Sequence, residues 1–94
     1  MEKLNWEEIK QKSRELKSLA NEHRLGIILY LKKKKTASVG EIADNLKISF
    51  KATSKHLLFL KKAGVLVKRF DNPFVYYSLS SNSSKLIKDL ISFL

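Results

Sequence analysis

The chain offers few side chains with chemistry of their own. His23 and His56 are its only imidazoles, and it has no cysteine. A catalytic reading of the run Ser54, Lys55, His56 needs a nucleophile, a base and a charged partner converging on one atom, and adjacent residues of a helix point in different directions. A metal reading needs clustered ligands, whereas the two histidines stand about 33 residues apart on different helices. The lack of cysteine excludes disulfides, thiolate chemistry and cysteine-ligated zinc or iron–sulfur sites. No catalytic residue, metal or cofactor is therefore expected. His56 reads as a structural or nucleic-acid-proximal residue, and His23 as a surface residue or an interface contact.

The residues that stand out are cations without acids. The stretch "SFKATSKHLLFLKKAG", Ser49 to Gly64, reads as one amphipathic helix with four lysines and no acid. Around it, from Asn45 to Phe70, stand Lys47, Lys51, Lys55, Lys61, Lys62, Lys68 and Arg69, again with no acid, so seven of the ten net charges lie in this segment. A solvated helix ordinarily intersperses both signs for i,i+4 pairing, and this one accepts self-repulsion instead. A polyanionic partner is the simplest compensation. A merely lysine-rich surface is the plainer alternative, and the acids plentiful elsewhere in the chain argue against it.

The elements that must carry these cations follow from length and pattern. Ninety-four residues, 44% hydrophobic and 30% charged with three glycines and one proline, describe one helix-rich folded domain over 1–94. No apolar run approaches the roughly 18 residues of a membrane span, and "MEKLNWEEIK" lacks the apolar core of a signal peptide, so the cytoplasm is the expected location, with no membrane partner. Asn5 caps a first helix, with Trp6, Ile9, Ser13, Leu16 and Ala20 on one face. Asn21 caps a second, with Leu25, Ile28, Leu29 and Leu31 as its apolar side and Lys32 to Lys35 at its negative end. Ser38 and Glu41 stand in capping-box spacing at the start of a short third, which buries Val39, Ile42, Ala43 and Leu46.

In the cationic helix, Thr53, Leu57, Leu60 and Gly64 form the core stripe, and Lys51, Ser54, Lys55, Leu58 and Lys62 project from the opposite side. "VLVKRF" and "FVYYSL" flank "DNP" as a hairpin, and "KLIKDLISFL" closes the chain as an apolar helix. The predicted fold class is mainly α with a β-hairpin wing, a winged helix-turn-helix in the order ααααββα. Such a helix fits the major groove with its exposed face between two rows of phosphates, where any acid would be repelled. That geometry accounts for the missing acids.

From Leu16 to Leu79 the sequence resembles the ArsR/SmtB family of small winged-helix repressors. The resemblance rests on "LKSLANEHRLGIILYL", on "SVGEIADNLKISFKATSKHLLFLKKAGVLVKR" and on "VYYSL" closing the hairpin. It implies a homodimer built from the first and last helices, about 5–20 and 85–94, that binds double-stranded DNA at an inverted repeat and leaves it on a signal. The five large apolar residues of the last helix agree with this, since so small a domain covers them poorly. Trp6, Ile9, Leu86, Leu90, Ile91 and Leu94 are the expected contacts, unless they only complete the monomer core. Positions matching the family's base-reading residues are Phe50, Lys51, Ser54 and Lys55. Phe50 departs from the more usual polar residue, and either packs on a thymine methyl or turns inward. Ser49, Thr53, Lys62, Lys68 and Arg69 are candidates for phosphate contact, although Thr53 also fits the core stripe, and Asn72 at the wing tip for the adjacent minor groove.

The sensing chemistry of the family is where the chain departs. Its best-known members place cysteines on the third helix, where Val39, Gly40, Glu41 and Ile42 stand here, or Asp, His and Glu ligands on the last, which here offers only Asp89. Metal or thiol sensing by those routes is not expected, and the effector is left open. A winged helix serving as a protein-interaction or non-specific architectural module is the alternative from another class. The acid-free segment argues against a protein partner unless that partner is acidic.

Overall fold

A computed structural model of the protein describes residues 2–94. Each helix begins where a short polar side chain takes up an orphan backbone N–H. In α1 (Trp6–Leu19) the Asn5 side chain accepts from the Glu8 N–H, and in α2 (Glu22–Lys34) Asn21 accepts from those of His23 and Arg24. In α3 (Val39–Leu46) Ser38 and Glu41 bond reciprocally, each at 3.2 Å, as their spacing requires. Lys47 then turns the chain with φ 57, a left-handed conformation, into Ser49, whose hydroxyl oxygen caps α4 (Phe50–Lys62). Gly64, at φ 79, ends that helix and releases the chain into the wing. Gly64 is exposed, so the core stripe of α4 stops at Leu60.

One strand is additional to the expected order. Thr36–Ser38 forms β1, which pairs antiparallel with β3 (Phe74–Leu79), and β3 pairs in turn with β2 (Leu66–Asp71), in the spatial order β1-β3-β2. The fold is thus ααβααββα, closed by α5 (Lys85–Phe93), a winged helix with a three-stranded sheet. β1 anchors the wing's base to the start of α3, with Ala37 buried opposite Tyr77.

The core gathers Ile27, Ile28 and Leu31 of α2, Ile42 of α3, Leu57 and Leu60 of α4, Val65 and Leu66 at the start of the wing, and Ile87 of α5. Ile27 occupies the place expected for Leu29, which is exposed: α2 is apolar over so wide an arc that its pattern leaves the rotation about its axis open. Gly26 lets α3 approach α2 closely, because a Cβ there would lie 2.7 Å from Leu46 Cδ2. α5 is held by Ile87 and by Lys32 Nζ, which donates to Ile91 O at 2.8 Å across the sequence, a cation at the negative end of a helix. Among the described residues no helix is long and apolar enough to cross a membrane.

Candidate nucleic-acid interface

The core contacts of α4 determine which of its residues face outward. With Thr53, Leu57 and Leu60 fully buried, helical rotation leaves Lys51, Ser54, Lys55, Leu58 and Lys62 on the opposite arc. Lys51, Lys55 and Lys62 are exposed, and Ser54 is half-buried. Phe50 is 61% exposed in the first turn, which decides between its two readings: the ring points away from the core. No acid stands in the first turn of α4, so its N-terminal N–H groups and positive helix pole face outward with the lysines.

Ser49 and Thr53 play different parts from those their hydroxyls suggest. The Ser49 oxygen accepts the Ala52 N–H at 3.0 Å, so it is the helix cap, and its own hydroxyl hydrogen stays free to donate outward. Thr53 is corrected as a phosphate contact. Its side chain is completely buried and its hydroxyl donates to Ser49 O at 2.9 Å, which satisfies it inside the fold and keeps it from any phosphate.

On the wing, Lys68, Arg69 and Asn72 are all exposed. Lys68 Nζ lies 5.0 Å over the Phe70 ring and Arg69 Cζ 5.0 Å over that of Tyr76, with Arg69 also 3.6 Å from the Asp71 carboxylate. These contacts are exposed and weak, so they orient the cations more than they neutralise them. The exposure of Phe70 and Phe74 at the wing tip was not anticipated. Strand alternation was its only sequence signal, and an alternating strand gives no measure of how far a ring stands from the domain.

α1 and α5 meet, and both leave apolar surface uncovered. Trp6 and Leu94 are exposed, while Ile9, Leu86, Leu90 and Ile91 are half-buried, the last two against the core. Phe93, 86% exposed, and Leu4 and Leu16 extend the same kind of surface. A groove of about 390 Å³ runs beside α1, lined by Ile9, Ser13, Leu16 and Ala20, all but one of them from the face that helical spacing picks out.

Sequence distance misleads for the histidines. His23 and His56 come together across α2 and α4, with ring centroids 5.5 Å apart. Burial first, then the nearby charges of Arg24 and His23, hold His56 below the ordinary imidazole value. Among the described residues no group of three or more potential ligands surrounds the pair.

Comparison with known proteins agrees with this geometry. The sequence pattern of the family described as "Bacterial regulatory protein, arsR family" matches residues 21–68, from the cap of α2 into the wing. The transcriptional activator HlyU of Vibrio cholerae is 38% identical over 76 residues, 81% of this chain and 69% of that protein. The arsenical resistance operon repressor of Escherichia coli is 38% identical over 64 residues, 68% of this chain and 55% of that one. Reduced HlyU superposes with a TM-score of 0.79 at 34% identity, over 94% of this chain and 88% of the other. The homodimeric winged helix-turn-helix DNA-binding domain Mb0332 of Mycobacterium bovis superposes with a TM-score of 0.76 at 26% identity, over 90% and 75%. The chain therefore belongs to the arsR family of bacterial regulatory proteins, as a DNA-binding transcription regulator of winged helix-turn-helix fold.

Proposed function

We propose that the protein is a cytoplasmic, sequence-specific repressor that binds double-stranded DNA as a homodimer on an inverted repeat, and that it works by binding and not by catalysis. The observation that carries this reading is the outward face of α4, which is cationic, free of acids and held in place by a fully buried opposite stripe. In the major groove, Phe50, Lys51, Ser54 and Lys55 would read base edges, with the Phe50 ring suited to a thymine methyl. Ser49, Lys62, Lys68 and Arg69 would contact phosphates, and Asn72 would reach the neighbouring minor groove.

The uncovered surface of α1 and α5 supports the dimer, with Trp6, Ile9, Leu86, Leu90, Ile91 and Leu94 as its contacts. A homodimer is the state named for Mb0332. Two recognition helices related by a two-fold axis match an operator with half-sites about 34 Å apart. Repression needs only occupancy of a promoter, which binding alone supplies. With neither cysteine nor a ligand cluster on α5, release would depend on a signal other than thiol oxidation or thiolate-bound metal.

Selection of bound fragments from random duplexes with the purified protein, followed by titration at several salt concentrations, tests the reading. For roughly 6 to 10 phosphate contacts per dimer, log affinity should fall against log salt with a slope of about −5 to −9 and the selected site should be palindromic. A slope near zero, or no enriched sequence, would overturn it.

A further inference from the structure

We propose that the tip of the β2–β3 hairpin is a two-sided aromatic wedge, Phe70 on one face and Phe74 on the other, that enters and widens the minor groove beside the site read by α4. The inference rests on the DNA-binding reading above and adds to it a second contact of a different physical kind.

Its starting point is exposure without an evident reason. Phe70 is 71% and Phe74 56% exposed, at the end of a hairpin remote from the apolar surface of α1 and α5. The register decides how they are arranged. Arg69 stands opposite Tyr76, Phe70 opposite Val75 and Asp71 opposite Phe74. Directly opposed residues share a face and successive residues alternate, so Lys68 and Phe70 lie on one face, and Arg69, Tyr76 and Phe74 on the other. The contacts agree: Lys68 Nζ is 5.0 Å from the Phe70 ring, Arg69 Cζ is 5.0 Å from that of Tyr76, and Tyr76 and Phe74 are 6.3 Å apart. Both faces thus repeat one order, an aromatic ring next to the tip and a cation behind it.

A patch made for the core or for a protein partner would be apolar on one face. A ribbon alike on both faces suits a cleft with two like walls. The minor groove is such a cleft, with apolar deoxyribose faces below and phosphates along both rims. From Phe70 to Lys68 is two strand residues, roughly 7 Å, against a groove about 7.5 Å deep. When the ring lies near the floor, the ammonium stands at the height of the phosphates, and Arg69 does the same on the opposite wall. A ribbon bearing side chains on both faces exceeds the groove's width of about 6 Å, so the groove must open and the duplex bend, as apolar wedges in other minor-groove binders make it do. Asp71 is the one acid at the tip. It lies 3.6 Å from Arg69, which offsets it only in part, so it opposes insertion.

The experiment uses a duplex selected from random sequence with the wild-type protein, carrying one dye at each end, so that affinity and end-to-end distance are read together across salt. Phe70→Ala with Phe74→Ala should weaken binding roughly tenfold, leave the salt slope unchanged because no charge is lost, and let the ends move apart. Lys68→Ala should instead flatten the slope by about 2 per dimer and keep the bend. Asp71→Asn should tighten binding, and since it removes no apolar surface it serves also if the double variant melts early. If the wild type selects no duplex, the DNA-binding reading fails and the wedge with it. If the wild type binds while the folded double variant binds and bends the duplex equally, or Asp71→Asn binds no tighter, the wedge alone is overturned and the rings are free to serve a protein contact.

Discussion

The Arg24 guanidinium lies 4.3 Å from the centre of the Phe59 ring while its Nε donates to Ser18 O at 2.7 Å and its Nη2 to Lys17 O at 3.0 Å. One side chain of α2 therefore joins the C-terminal carbonyls of α1 to the recognition helix, and so ties a helix of the proposed dimer surface to the helix that carries the basic face. Arg24→Ala should lower stability by about 1–3 kcal/mol, read as a shift in the urea midpoint. Arg24→Lys should recover little of it, because an ammonium has neither the planar fork nor the stacking face.

Lys51→Ala and Lys55→Ala should each weaken duplex binding and flatten the salt slope by about 1.8 per dimer, with melting unchanged. Both side chains project from α4 into solvent. Loss of fold in either variant, detected by circular dichroism, would mean that the rotation of α4 described above is wrong.

Assembly can be separated from folding at α5. Leu86, Leu90 and Phe93 recur at i, i+4 and i+7 on one face, and Phe93 is the most exposed of the large apolar residues. Phe93→Glu should give folded monomers by light scattering that bind DNA poorly, since two half-sites must be engaged together. Ile91→Glu should also dissociate the dimer but melt earlier by about 1–3 kcal/mol, because Ile91 packs partly on the core.

Acid should weaken the α2–α4 contact. His56 has a folded-state value below its ordinary 6.5, chiefly from burial and then from Arg24 and His23, so the unfolded chain binds its proton more readily. The stability it contributes is fully present above about pH 6.5 and is lost as pH falls through the lowered folded value. Urea midpoints followed downward from neutral pH should fall more for the wild type than for His56→Asn. Equal pH dependence in the two would assign the acid sensitivity elsewhere.

Much of this architecture is legible before any coordinates. Asn5, Asn21 and the Ser38–Glu41 pair mark helix starts because capping is local chemistry, and the outward lysines of α4 follow from a stripe only three buried residues long. What depends on distant partners is not legible. The three residues of β1 have no periodicity of their own and become a strand only by pairing with Tyr76, Tyr77 and Ser78. The exchange of Leu29 for Ile27 in the core has the same origin, since the neighbours of α2 choose which part of its apolar surface is covered. Thr53 fits both a core stripe and a phosphate contact until Ser49 O is seen to take its hydroxyl. Separation along the chain likewise says nothing of the 5.5 Å between His23 and His56.

The acid-free surface of α4 bears on how the protein finds its operator. Seven positive charges between Asn45 and Phe70, with no carboxylate among them in sequence, attract any stretch of duplex regardless of its bases. At moderate salt, few molecules will be free in solution at any moment; most will be held loosely along the chromosome, sliding and hopping between unrelated sites. The search then becomes largely one-dimensional, and its speed is set by how quickly phosphate contacts exchange. Changes in intracellular potassium would alter the time to reach the operator as well as the strength of the final complex.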